Sequence, residues 1–392
     1  MQKEKIWTST FTLTMGISFI FYLVFYLLTV IIGTVAMTQD HAPASLAGIL
    51  SGIFIVGSFI GRLWGGTKIS DFGAKKMLYV GIIFYLIMNI FYLFVSNIWL
   101  LLVIRFLHGI GFGIAGTATG TLAGLVVPAS RRGEGIGYFT LSLTLASAVG
   151  PFLSIFLYHT FNYQVLLILS VALLAISLLA SFFLKIPQHV VDAMAQTEKK
   201  AFSLGSLFEV SALPMGFIGL LIGVAYASLL TFLANFTAGV GLVTAGSLFY
   251  VVYALFILVS RPLTGRLFDS KGDNFVMYPT FILFAIGLVL TGFSHTSLML
   301  FGAAALVGLG YGSFTPFGQA ISIRNVSADR IGVATSTFFG LYDMGVGLGP
   351  FFLGLIVPMS GYRNLYFGCA IFTLIVMGIY WLIHGRKQNK LA

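Results

Sequence analysis

The chain has 392 residues, of which 58% are hydrophobic and only 8% charged, and its mean hydropathy is +1.02. No soluble fold hides that much apolar surface, whereas a bilayer accepts it. The formal charge of +10 comes from basic residues scattered singly or in pairs between apolar runs, which leaves no basic face for nucleic acid.

Apolar runs of roughly 18 to 25 residues recur, each long enough at ~1.5 Å per residue to cross ~30 Å of hydrocarbon. Alternating strands of the barrel type are absent, so helices must satisfy the backbone. The expected fold class is an all-α polytopic membrane protein with twelve transmembrane helices. The first six are expected at about Phe11–Ala36, Leu46–Trp64, Met77–Val95, Trp99–Leu122, Ile136–Phe156 and Val165–Phe183. The second six fall at about Met215–Phe232, Thr244–Val259, Phe275–Gly292, Leu298–Ile323, Ile331–Val357 and Leu365–Ile383. Lys3 and Lys5 precede an apolar run longer than a signal-peptide core, so the first helix reads as retained. Cys369 is the single cysteine, which excludes an internal disulfide and a cysteine-based metal cluster; no metal or cofactor is expected.

An even number of helices per half puts both termini and the central linker on one side. Of the 21 basic residues, 19 fall on that side, Arg363 falls opposite, and Arg105 lies within a helix. By the positive-inside rule the rich side is cytoplasmic, so the protein is expected in the cell membrane, multi-pass, with both termini inside. The domains are expected at 1–184, a six-helix bundle, and 207–392, a second one, with 185–206 as a polar cytoplasmic linker.

The halves repeat at one offset. Adding 199 carries Gly109, Gly111 and Gly113 onto Gly308, Gly310 and Gly312, and Arg131 and Gly133 onto Arg330 and Gly332. It also carries Arg62, Gly66 and Gly73 onto Arg261, Gly265 and Gly272, and Gly150-Pro151 onto Gly349-Pro350. The chain is two copies of one unit.

Two six-helix halves in parallel repeat resemble the major facilitator superfamily of secondary transporters. After the eighth helix, Gly265-Arg-Leu267-Phe-Asp269-Ser-Lys-Gly272 matches that family's cytoplasmic GxLxDxxG gate motif. The first-half counterpart runs from Gly66 to Gly73, Lys75 and Lys76, with Ser70 at the acidic position and Asp71 displaced by one. Arg105-Phe-Leu-His108-Gly109 resembles the family's RxxQG element, and Gly150-Pro151 a loose antiporter signature that Gly345, Gly349, Pro350 and Gly354 fit better. The resemblance implies a drug- or metabolite-exporting, proton-coupled branch driven by the proton gradient. It also implies that helices one, four, seven and ten line a central cavity.

Arg105 and Asp343 are the charges placed deep in spans. A charge there is costly, about 2.5–3.5 kcal/mol on insertion scales, and is expected to face the bundle interior. Burial and a neighbouring cation pull the protonation of such a carboxylate in opposite directions. Asp343 is therefore the candidate proton or cationic-substrate site, with Arg105 and His108 as coupling partners; structural hydrogen bonding is the alternative for each. Tyr22, Tyr26, Asn89, Tyr226 and Gln319 are candidate cavity residues, Gln319 following an interruption expected at Thr315-Pro316. Arg62, Asp71, Lys75, Lys76, Arg261 and Asp269, with the motif glycines, are the candidate cytoplasmic gate. Gly150, Pro151, Gly349 and Pro350 are candidate hinges. Gly57, Gly61 and Gly65 form a small-residue face that allows close helix approach, and the resemblance implies that it meets the eleventh helix.

The function expected is export of a drug, metabolite or metallophore by alternating access. The expected partners are protons, a small-molecule substrate and membrane lipids, and the protein is expected to be a monomer. Uptake by symport keeps the same fold, and a non-transporting sensor is the remote alternative. No nucleotide loop, HExxH or nucleophile elbow occurs, so an enzyme is not expected.

Overall fold

The computed structural model describes residues 5–38, 44–95, 97–186, 207–327 and 330–386; the linker expected at 185–206 lies almost wholly outside them. Every regular element among the described residues is helical. In order these are α1 Ser9–Thr38, α2 Ala44–Phe72, α3 Ala74–Phe91, α4 Ile98–Val126, α5 Arg132–Thr160 and α6 Tyr163–Phe182. Then come α7 Leu213–Gly239, α8 Val243–Lys271, α9 Asp273–Phe293, α10 Ser297–Leu309, α11 Tyr311–Ile323 and α12 Ile331–Tyr380. α10 and α11 are one expected span broken at Gly310, where φ is −77° and ψ −89°. α12 is two expected spans run together, parted at Gly361, where φ is +74° and ψ 165°. Ten stretches of the described residues are long and apolar enough to cross a membrane, with 331–385 counted as one. The chain is a multi-pass, all-α membrane protein.

Local sequence explains where helices begin. Asn97, Asn162 and Thr296 cap α4, α6 and α10, each side chain accepting a hydrogen bond from a first-turn backbone N–H. Between α2 and α3, and between α8 and α9, the turns are instead made by Gly73 and Gly272, at φ +82° and +84°. A side chain resists that left-handed conformation, so the same turn recurs 199 residues apart on the same residue type.

Three expectations are corrected here. The second and eighth helices run on past Trp64 and Val259 to Phe72 and Lys271, so Gly66 and Asp71, like Arg261, Gly265 and Asp269, stand on helices rather than in loops. Leaving hydrocarbon does not end a helix; the positive-φ glycine does. The break in the tenth span falls at Gly310, not at Thr315-Pro316, and Pro316 sits inside α11. Gly57 and Gly61 face α4 rather than the eleventh helix.

That last contact is reciprocal. A Cβ on Gly57 or Gly61 would strike the carbonyl oxygens of Phe106 and Ile110, while one on Gly109 or Gly113 would strike those of Phe54 and Ser58. Each backbone occupies the space the other lacks, which is why α2 and α4 pack so closely.

Contacts divide the chain into two compact units. The first falls within Met1–Pro128, Leu145–Glu209 and Asn325–Gly340; the second within Ala129–Thr144, Val210–Arg324 and Leu341–Ala392. α5 and α12 each contribute to both. In the second unit Gly345 lies against the Leu220 carbonyl, and Gly349 against Val224 and Ala227, so the glycine face of α12 packs on α7.

Candidate functional site

In the first unit α4 carries Arg105 and His108 one turn apart, both fully buried. Arg105 Nε donates to the Leu50 carbonyl at 3.3 Å and Nη2 to Thr29 Oγ1 at 2.7 Å. Its guanidinium carbon lies 4.5 Å from the centre of the Phe54 ring. Neutral oxygens and a π face thus hold the cation. The His108 ring stacks on Tyr85 with centroids 4.1 Å apart and planes at 9°, and Nδ1 lies 3.2 Å from the Tyr92 hydroxyl. His108 therefore joins α4 to α3 and to the Tyr92 just after it.

The other first-unit candidates are distributed. Tyr22 accepts a hydrogen bond from Arg62 Nη2 at 3.4 Å, which joins a residue expected in the cavity to one expected in the gate. Arg62 is completely buried and also lies 5.2 Å from the Phe339 ring centre. Asn89 accepts from Ser170 at 3.4 Å, so it ties α3 to α6. Tyr26 lies against Gly150, whose missing Cβ leaves room for it; Gly150 and Pro151 lie within α5.

The second unit holds a tyrosine cluster. Tyr226 on α7 stacks on Tyr311 of α11 at 3.7 Å and 11°, and lies 6.2 Å from Tyr253 of α8. The Tyr311 hydroxyl bonds that of Tyr342 on α12, next to Asp343. Asp343 is half-buried, twelve residues into α12. Among the described residues it is the one acid away from a helix end: Asp71, Glu134, Asp269 and Asp273 sit in first or last turns, and Glu209 precedes α7. Gln319, on α11, is fully buried.

Tyr253, Tyr311 and Tyr342 were not among the residues singled out from sequence. The repeat held the signal, because subtracting 199 from Tyr253 and Tyr311 gives Phe54 and Phe112, whose rings pack 5.3 Å apart in the first unit. The same aromatic pair is bare in one unit and hydroxylated in the other.

Arg261 has a specific structural task. Pro316 has no N–H to donate to the carbonyl of Gly312, four residues back. Arg261 Nη2 donates to that carbonyl at 2.5 Å. The buried guanidinium replaces the hydrogen bond the proline removed.

The candidate gate residues form two stations at helix starts. In the second unit both oxygens of Asp269 accept the first backbone N–H groups of α5, from Gly133 at 2.8 Å and Glu134 at 3.0 Å. A carboxylate there meets unsatisfied donors and the positive end of the helix. Gly265 lets α8 close on Glu134, whose own carboxylate pairs with Arg131 at 2.8 Å. In the first unit the equivalent of Asp269 is Ser70 and that of Glu134 is Val333, so both acids are lacking. Gly66 still meets Ser336 and Gly332 of α12, but Arg330 pairs with Glu209 instead, at 2.8 Å. The Glu209 N–H donates to Thr337 at 2.9 Å. Asp71 pairs with Lys68 on the exposed surface at 2.9 Å, and Lys75 donates to the carbonyl of Leu184 at 2.6 Å, beyond the end of α6. Lys76 is exposed. Gly349 and Pro350 lie within α12, whose backbone departs from helix at Gly361.

Comparison with known proteins agrees with this arrangement. The sequence profile of the Major Facilitator Superfamily matches residues 14–280 and 243–391. The staphylopine export protein of Staphylococcus aureus is 21% identical over 378 residues, covering 92% of this chain and 93% of its own. Multidrug resistance protein MdtG of Dickeya zeae is 24% identical over 364 residues, covering 90% and 88%. The crystal structure of the human organic anion transporter MFSD10 (TETRAN) shares the fold, with a TM-score of 0.78 at 13% identity over 95% of this chain and 98% of that one.

Proposed function

We propose that this chain, which belongs to the Major Facilitator Superfamily, is a proton-coupled exporter of small molecules. It works by alternating access in the cell membrane with both termini in the cytoplasm. The observation that carries this reading is Asp343, the one described acid away from a helix end, beside the Tyr342–Tyr311–Tyr226 cluster. A carboxylate in that setting exchanges a proton when its surroundings change from one side of the membrane to the other. The tyrosines offer flat apolar faces with hydroxyl handles to an amphipathic substrate. The similar protein of Staphylococcus aureus is named an export protein, which supports the outward direction. The proton gradient supplies the energy, and no cofactor is needed.

The test uses inside-out vesicles with an imposed proton gradient, reading lumenal pH while a panel of lipophilic cations and carboxylate metabolites is added. The expected outcome is substrate-dependent proton efflux from the lumen by the wild type, lost in Asp343→Asn. Proton movement in the same direction as substrate would replace export by symport. Unchanged coupling in Asp343→Asn would remove Asp343 from the proton path.

A further inference from the structure

An apolar groove of about 500 Å³ runs along the surface of the second unit between α9 and the second arm of α12. Ile282, Val289 and Phe293 form one wall, Phe367 and Leu374 the other, and Ala370 the floor. Eleven residues of α9 separate Ile282 from Phe293, a length of ~16 Å. The Phe293 and Phe367 rings, 4.7 Å apart, close one end. Ile282, Val289 and Phe293 on one wall and Ile371 and Leu374 on the other are exposed, so in a membrane an acyl chain fills this space.

What distinguishes the groove is the group above its closed end. Arg363 stands one helical turn before Phe367, and His295 two residues after Phe293. Arg363 Nη2 lies 3.1 Å from His295 Nε2, so the imidazole accepts from the guanidinium and steadies it at the mouth, where both side chains remain exposed. Gly292 brings α9 close to the Arg363 backbone and the Phe367 ring, which fixes the mouth to the groove. Arg363 is also the single basic residue that the loop pattern assigns to the extracytoplasmic side. A cation placed against the positive-inside rule needs a local reason.

We propose that this groove and the Arg363–His295 pair form a binding site for one anionic phospholipid. The phosphate sits on the guanidinium and an acyl chain lies between α9 and α12. The remaining N–H groups of Arg363 match the oxygens of a phosphodiester, and its exposed position at the helix start sets them at headgroup level. A zwitterionic lipid offers the same phosphate with a cation attached, so the site favours the anionic one.

The experiment is native mass spectrometry of the purified full chain in detergent, titrated with phosphatidylglycerol or phosphatidylcholine. The wild type is expected to retain one phosphatidylglycerol at a concentration where phosphatidylcholine is lost. Arg363→Gln removes that preference, lowering retention about tenfold, the equivalent of ~1.4 kcal/mol; Arg363→Lys keeps part of it. Ile371→Trp, at an exposed position lining the groove, fills it and reduces retention of both lipids while the protein stays folded by thermal melt. Equal retention of the two lipids by the wild type, or an unchanged preference in folded Arg363→Gln, overturns the proposal. So does unaltered binding in Ile371→Trp, which would assign retention to the cytoplasmic basic loops.

Discussion

At the scale of single residues, the exchange between Arg261 and Pro316 carries a measurable prediction. Truncating Arg261 to Met leaves the Gly312 carbonyl buried without a donor, at a cost of about 1–3 kcal/mol. Pro316→Ala restores the backbone N–H in place. The unfolding temperature of purified Arg261→Met should therefore fall clearly, and adding Pro316→Ala should recover part of the loss. In the wild-type background Pro316→Ala should change it little, because the guanidinium already serves. Absence of recovery would show that Arg261 matters for reasons unrelated to the proline. The sequence displayed both residues and flagged Pro316 as an interruption. It did not display their partnership, because the donor lies 55 residues earlier on another helix. Arg105 shows the same limit: its depth was readable from hydropathy, but not that Leu50, Thr29 and Phe54 would enclose it.

At the scale of elements, the two helix starts are the informative comparison. α5 begins under Asp269, and Asp269→Asn should weaken that end by about 0.5–2 kcal/mol through loss of a charged cap. α12 begins without either acid of its repeat partner, and Arg330 draws Glu209 from the segment before α7. Glu209→Gln should lower the unfolding temperature slightly, since the pair is partly exposed and such pairs contribute about 0.2–1 kcal/mol. Val333→Glu recreates the spacing of Arg131 and Glu134, and in the Glu209→Gln background it should restore the loss. Failure to restore it would mean that the Glu209 segment matters for more than its charge. The motif glycines were legible as a pattern, and Gly73 and Gly272 form the turns that pattern implies. The stripe of Gly57 and Gly61 was legible too, but its partner was not. A small-residue face states that another backbone comes close, never which one, and here it is α4.

At the scale of the whole molecule, the helix count and the repeat followed from hydropathy and one constant offset, because a bilayer forces both the length of a span and the sidedness of its basic loops. Sidedness is the part that can be tested independently of transport. Cys369 is buried, so a Cys369→Ala background leaves no competing accessible thiol. Single cysteines then go to Phe183 and Val210, which flank the central linker, and to Leu298, the second residue of α10, and Met359, two residues before the Gly361 break in α12. All four positions are highly exposed, at 73%, 74%, 82% and 91%, so no neighbouring side chain covers them. A membrane-impermeant maleimide added to intact cells should label Leu298→Cys and Met359→Cys and spare Phe183→Cys and Val210→Cys. Inverted vesicles should show the reverse. Complete inversion of the pattern would keep the helix count and overturn the cytoplasmic assignment of the basic loops. That result would also place the Arg363 groove in the inner leaflet. A split within either pair would mean a span had been miscounted, since one missing crossing moves every later loop to the other side.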